Sequence, residues 1–211
     1  MDLEHINAYI NDFYANTAQL SKESYAKSTD YKDFIPTIDT EVARFISLII
    51  ELKDVKSILE IGTSIGYSTT TMAKAIKGKG GKVTTIEYDE KVGEKAKQNF
   101  IREGVSDVIE VINGDARRIL PLLTTEYDLI FQDAEKTIYP EVYEDCIRLL
   151  KMNGLLIADD TLFDIIDLDE KWDHLKEPIR NFNKLLANDN RLRSTILPIG
   201  DGISIAVKIP T

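Results

Sequence analysis

The sequence predicts an α/β fold: a mostly parallel sheet with helices on both faces and an N-terminal helical cap. Three observations predict it. From Ser57 onward, short β-branched runs alternate with amphipathic stretches, the pattern of βαβ units. Before that point, residues 2–53 show helical spacing and no strand-like run. Near the end, two strand patterns flank Gly200-Asp201-Gly202, a turn signal that makes the last pair an antiparallel hairpin.

Taken in order, the cap holds three helical pieces. Ile6, Tyr9, Ile10, Phe13 and Tyr14 share one face of the first, and Val42, Phe45, Ile46, Ile49 and Ile50 one face of the third, so both read as docking helices. Pro36 marks the break before the third. Strands follow at 57–61, 82–87, 108–113, 127–133 and 154–160. The intervening helices are Tyr67–Ile76, Glu90–Arg102, a short one after Asp115, and one over 139–150. A polar, acidic stretch over 164–173 precedes a helix around 178–186, and the closing hairpin pairs 193–199 with 203–209. No repeat or linker divides the 211 residues, so the reading is one domain, with a cap at 1–53 and a core at 54–211.

Composition narrows the function classes. Hydrophobic residues at 43% and charged residues at 29% are ordinary globular usage, which excludes a disordered or low-complexity chain. Asp and Glu outnumber Lys and Arg by 36 to 26, and the net charge of −10 opposes a general nucleic-acid or membrane-surface binder. The lone cysteine, Cys146, has no partner for an internal disulfide and reads as core. The opening run MDLEHINAYINDFY has no basic and then apolar leader, and no run reaches membrane-span length, so a cytoplasmic location is expected.

In open α/β sheets ligands bind beyond the carboxyl ends of the strands, so those ends carry the functional reading. The first strand runs into Glu60-Ile61-Gly62-Thr63-Ser64-Ile65-Gly66-Tyr67-Ser68, a turn in which glycine permits φ > 0 and close approach of a ligand. The second ends in Glu87, a carboxylate suited to the two hydroxyls of a ribose. The third ends in Asn113-Gly114-Asp115-Ala116, where an acid at a helix start suits an adenine amino group. The spacing E-x-G-x-x-x-G differs from the G-x-G-x-x-G of dinucleotide sites, and an acid before the turn would repel a pyrophosphate. A cationic, amino-acid-bearing nucleoside, S-adenosylmethionine, fits better than NAD. Asp133-Ala134-Glu135-Lys136 and Asp159-Asp160 end the fourth and fifth strands. If those strands are neighbours, three carboxylates converge, and a divalent cation is the simple remedy for their repulsion. Oxygen-only ligation points to Mg²⁺, with Mn²⁺ or Ca²⁺ as alternatives, and Lys136 is placed to take a proton from a metal-bound hydroxyl. His5 and His174 read as surface residues. Trp172 and Tyr139 read as aromatic core or rim positions, with a pocket wall as the alternative.

These motifs, with Ile199-Gly200-Asp201-Gly202, resemble the cation-dependent O-methyltransferase family of caffeoyl-CoA and catechol O-methyltransferases, particularly its small bacterial members, over residues 35–208. The resemblance implies a Rossmann-like class I methyltransferase fold with a seven-stranded sheet whose last strand is antiparallel. It implies S-adenosylmethionine as donor, a hydroxylated aromatic acceptor such as a catechol, and a homodimer. Carried over residue by residue, Glu60, Gly62, Thr63, Gly66, Ser68 and Glu87 match the donor site, with Asp115 and Ala116 at the adenine. Asp133 matches a metal ligand near the donor's methionine end, Asp159 and Asp160 match the other ligands, and Lys136 matches the catalytic lysine. Two departures stand out: Asp160 occupies a position where the family usually has Asn, and 161–173 does not follow the family's Gly-containing continuation. Two alternatives keep the donor site. One is O-methylation of a wobble 5-hydroxyuridine in tRNA, against which the net charge counts; the other is a non-catalytic donor-binding protein.

Overall fold

A computed structural model describes residues 3–14, 20, 22–27, 37–166 and 169–210 of the chain. Pro36 lies outside them. The cap contributes α1 (Leu3–Tyr14), α2 (Lys22–Lys27) and α3 (Thr40–Leu52). Helix α3 docks as its periodicity predicts, burying Val42, Ala43, Ile46 and Ile50. Ile46 and Ile50 are fully buried, each contributing roughly 1.5–3 kcal/mol. Helix α1 departs from the expectation. Ile6 is half-buried, but Tyr9, Ile10, Phe13 and Tyr14 are exposed, and α1 meets α3 through polar groups. Asn11 Nδ2 donates to Glu41, the Arg44 guanidinium donates to Asn11 Oδ1 at 2.5 Å, and Arg44 lies over the Tyr14 ring. Among the described residues, Tyr9, Ile10 and Phe13 of the α1 stripe thus stay exposed, and Tyr14 is met by Arg44.

The sheet has seven strands: β1 (Ser57–Ile61), β2 (Lys82–Glu87), β3 (Ile109–Asn113), β4 (Tyr127–Gln132), β5 (Leu150–Ala158), β6 (Leu192–Leu197) and β7 (Ile203–Lys208). Their order is β3-β2-β1-β4-β5-β7-β6. The first five pair in parallel, and β7 inserts between β5 and β6, antiparallel to both. This is the mixed seven-stranded sheet the resemblance implies. Helices α4 (Tyr67–Ile76), α5 (Glu90–Arg102), α6 (Ala116–Ile119), α7 (Tyr143–Leu149) and α8 (Lys176–Asn188) connect it. Alternation along the strands divides the core. Ile58, Leu129, Phe131 and Ile157 pack with α3, α4 and α5, while Leu59, Ile130 and Leu156 pack with α7 and α8. No helix among the described residues is long and apolar enough to cross a membrane.

Several boundaries shift for local reasons. The fifth strand starts at Leu150 and stops at Ala158, two residues earlier than expected, because Asp160 takes φ +59° and turns the chain out of the ladder. The helix expected over 139–150 begins only at Tyr143. A 3₁₀ turn, Lys136–Ile138, and Pro140, which has no N–H to donate, occupy the stretch before it. Within 164–173 the second part tightens into a 3₁₀ segment, Glu170–Leu175, that leads into α8.

One consequence of register positions the site. Ile61 pairs with both Ile86 and Gln132, and Gln132 pairs with Ala158. The residues one step beyond, Gly62, Glu87, Asp133 and Asp159, therefore stand in a row along the carboxyl edge.

Candidate active site

A cavity of about 1060 Å³ opens along that edge, room enough for a nucleoside-sized ligand with a second small molecule beside it. Gly62, Glu87, Asp115, Ala116, Asp133, Lys136, Asp159 and Asp160 all line it, so eight of the residues singled out from the sequence converge. Glu60, Thr63, Gly66 and Ser68 do not line it; they build the turn beneath.

The turn is held from below and from the side. Glu60 is fully buried, and its carboxylate accepts hydrogen bonds from the hydroxyls of Ser68 (2.5 Å), Thr69 and Thr85 (2.6 Å). These three bonds tie its oxygens to the turn and to the next strand. Burial pushes its pKa up to about 7, against the three hydroxyls that favour the ionised form. Glu87 Oε2 accepts the backbone N–H of Thr63 (3.1 Å) and Ser64 (2.8 Å), and Oε1 accepts that of Asp89 (2.9 Å). The carboxylate is thereby fixed at the cavity wall with lone pairs left for a diol. Gly66, at φ +88°, caps α4 and lies against the Phe100 ring. Asp115 caps α6 by accepting the Arg117 N–H at 3.0 Å, and the Arg117 guanidinium bonds both of its oxygens, which lowers the Asp115 pKa.

The folded Glu60 carboxyl binds its proton more tightly than in the unfolded chain. Between pH 4.5 and about 7 the native state keeps a proton that the unfolded state has released. Stability is therefore expected to fall as pH rises through that window, by roughly 3 kcal/mol. Glu60→Gln, an isostere of the neutral form, removes this term. Its melting temperature relative to wild type should climb between pH 5 and pH 8 in calorimetry, and a gap independent of pH would contradict the assignment.

At the other end of the cavity, one carboxylate oxygen each from Asp133, Asp159 and Asp160 lies within 4.8 Å of the other two. Asp159 is buried, and Asp133 and Asp160 are half-buried. Burial drives the Asp133 pKa up to about 6 and that of Asp159 well above its ordinary value, with the neighbouring carboxylates adding to both. Lys136 is buried among them, its Nζ 2.9 Å from Asp133 and 2.8 Å from Asp160. Burial alone would lower its pKa, but the facing Asp133, Asp160 and Asp159 charges outweigh burial and hold the ammonium well above the usual lysine value. Three oxygen donors from two adjacent strand ends, balanced by one ammonium, fit a hard divalent cation.

The remaining wall was less visible in the sequence. Lys22 and Asp39, paired at 2.8 Å, reach it from the cap, and Asp201 reaches it from the hairpin turn. Phe163, Trp172 and Leu175 supply its apolar part. Only the Gly-Asp-Gly turn and Trp172 carried a signal. Tyr139 is core rather than wall, Cys146 is buried, and His5 and His174 are exposed.

Comparison with known proteins agrees with this geometry. The family model described as O-methyltransferase matches residues 11–209. A catechol O-methyltransferase from Niastella koreensis is 32% identical over 216 residues, covering 97% of this chain and 96% of that protein. A caffeoyl-CoA O-methyltransferase from Populus kitakamiensis is 31% identical over 82% of this chain and 78% of its own length. The crystal structure of an O-methyltransferase from Bacillus cereus in complex with SAH superposes with a TM-score of 0.80 at 26% identity, covering 98% of this chain and 100% of that one. On the match of nearly the whole chain, with the strand order and cavity in agreement, the protein belongs to the O-methyltransferase family and is an S-adenosylmethionine-dependent O-methyltransferase of the class I fold.

Proposed function

We propose that the chain methylates one hydroxyl of a small catechol-like acceptor in a reaction that requires a divalent cation, Mg²⁺ first. The observation that carries this reading is the junction of the Asp133, Asp159 and Asp160 oxygens with the buried Lys136 ammonium, at the end of the cavity opposite Glu87. Glu87 would accept the ribose hydroxyls of the donor, Asp115 and Ala116 would face its adenine, and Gly62 would let its amino-acid end approach the Asp133 backbone. S-adenosylmethionine, when bound, supplies a sulfonium methyl. A cation held by the three aspartates supplies Lewis acidity, lowering the pKa of a coordinated hydroxyl. Lys136 Nζ would take the hydroxyl proton as the neutral amine, after releasing its own proton to solvent; positive charge held at the aspartates would favour that release by weakening the attraction that keeps Nζ protonated. Phe163, Trp172 and Leu175 would hold the ring and exclude water. The catechol and caffeoyl-CoA O-methyltransferase relatives support an aromatic acceptor of this class. The exposed stripe of Tyr9, Ile10, Phe13 and Tyr14 supports a homodimer through α1.

The test is transfer of labelled methyl from S-adenosylmethionine to a simple catechol, with Mg²⁺ and again with EDTA, on a preparation whose mass is read by sedimentation. Transfer that EDTA abolishes is expected. Transfer that survives EDTA removes the cation from the mechanism, and no transfer by protein that binds S-adenosylhomocysteine removes the catechol.

A further inference from the structure

The loop that carries Asp133 and Lys136 is closed onto the sheet by a residue outside the cavity. Tyr139 is fully buried, and its hydroxyl donates to the Gln132 carbonyl at 2.9 Å and to the Asp159 carbonyl at 3.2 Å. Gln132 ends β4, one residue before Asp133, and Asp159 follows the end of β5. The Gln132 carbonyl also accepts the Asp159 N–H at 3.0 Å, so one oxygen and one hydroxyl tie both strand ends together. In return, Gln132 Nε2 donates to the Tyr139 carbonyl at 3.4 Å, closing the intervening loop at its base. The Tyr139 ring centre lies 5.3 Å from Lys136 Nζ, and the ring packs T-shaped with Phe182, 5.3 Å between centroids.

We propose that Tyr139 is a positioning residue: its hydroxyl sets the spacing of Asp133 from the Asp159–Asp160 pair, and its ring sets the height of Lys136. The inference rests on reading those aspartates as a cation site. Such a site needs its oxygens at a fixed spacing, and Asp133 and Asp159 stand at the last ladder bonds of their strands, Asp133 N–H to the Ile61 carbonyl at 2.9 Å and Asp159 N–H to the Gln132 carbonyl at 3.0 Å, with Asp160 beyond them. The Tyr139 hydroxyl, shared between the Gln132 and Asp159 carbonyls, adds a second constraint across the two strand ends, as outer-shell partners do for ligands generally.

The experiment is calorimetric titration of Mn²⁺ into donor-free wild type, Tyr139→Phe, Gln132→Met and Phe182→Leu, with S-adenosylhomocysteine binding measured alongside. Tyr139→Phe keeps the ring and loses only the hydroxyl. It is expected to weaken Mn²⁺ binding about tenfold while leaving S-adenosylhomocysteine affinity unchanged. Gln132→Met, which removes the reciprocal bond, shifts Mn²⁺ binding the same way and decides the matter if Tyr139→Phe does not fold. Phe182→Leu disturbs the ring packing and is expected to lower thermal stability but not Mn²⁺ affinity. Unchanged Mn²⁺ affinity in Tyr139→Phe and Gln132→Met overturns the inference, as does equal weakening in Phe182→Leu, which would make packing the cause. Wild type that binds S-adenosylhomocysteine but no Mn²⁺ overturns the cation reading and this inference with it.

Discussion

Lys136→Met is expected to lower methyl transfer to a catechol by about 10²–10⁴-fold, the usual worth of a positioned proton acceptor, with S-adenosylhomocysteine binding retained. Methionine keeps the length and apolar stem of lysine and removes Nζ, the atom that stands 2.9 Å from Asp133 and 2.8 Å from Asp160. The same change strips the bare cluster of its counter-charge, a loss of about 3–5 kcal/mol for a broken buried pair. Added Mg²⁺ should restore much of that stability without restoring turnover. Lys136→Arg separates the two roles, since a guanidinium balances charge but does not release its proton. A Lys136→Arg enzyme with wild-type turnover would sink the proton-acceptor role and leave only charge balance.

Gly62→Ala should be damaging at a position with no titratable group. Gly62 sits at φ +97°, where a side chain costs about 1–3 kcal/mol. An added Cβ would stand 2.7 Å from the Asp133 carbonyl carbon and closer still to its oxygen. That backbone has little room to retreat, because the Asp133 N–H donates to the Ile61 carbonyl at 2.9 Å. Overpacking adds about 1–3 kcal/mol, and the sum corresponds to a fall of roughly 10 °C in melting temperature for a chain of this size. Displacement of Asp133 should also weaken donor and Mn²⁺ binding together. Gly78→Ala is the control: nothing lies within 4 Å of a Cβ there, and the position is exposed. Equal melting temperatures and equal S-adenosylhomocysteine affinity for Gly62→Ala and Gly78→Ala would refute the close-approach argument.

Much of this architecture is legible before any coordinate. Runs such as SILEI and KVTTIE match β1 and β2 residue for residue, because short runs rich in β-branched and aliphatic residues suit the pleated, buried surface of a central strand. Gly62, Glu87, Asp115, Asp133 and Asp159 are legible for a related reason. In a parallel sheet each chain segment returns to the same edge, so the residue that follows each run lies at that edge whatever the loop does afterwards.

Other features were decided only when the elements met. Glu60 has the residue type of a ligand-binding acid, yet Ser68 and Thr69 on α4 and Thr85 on β2 close around it, and no spacing along the chain encodes three hydroxyls arriving from two elements. Lys136 lies between Asp133 and Asp160 because β4 and β5 are neighbours, and Tyr139 ties Gln132 to Asp159 for the same reason. Periodicity also identified the apolar stripe of α1 but not its destination: Asn11 and Arg44 turn the helix so that Tyr9 and Phe13 face outward. The sequence by itself therefore determined the strands, their helices and the row of functional residues, since these follow from local patterning and from the sheet's edge. Tertiary structure alone decided which carboxylates are open, which are committed and what holds them apart, since hydrogen bonds between strand ends depend on neighbours that are distant in the chain.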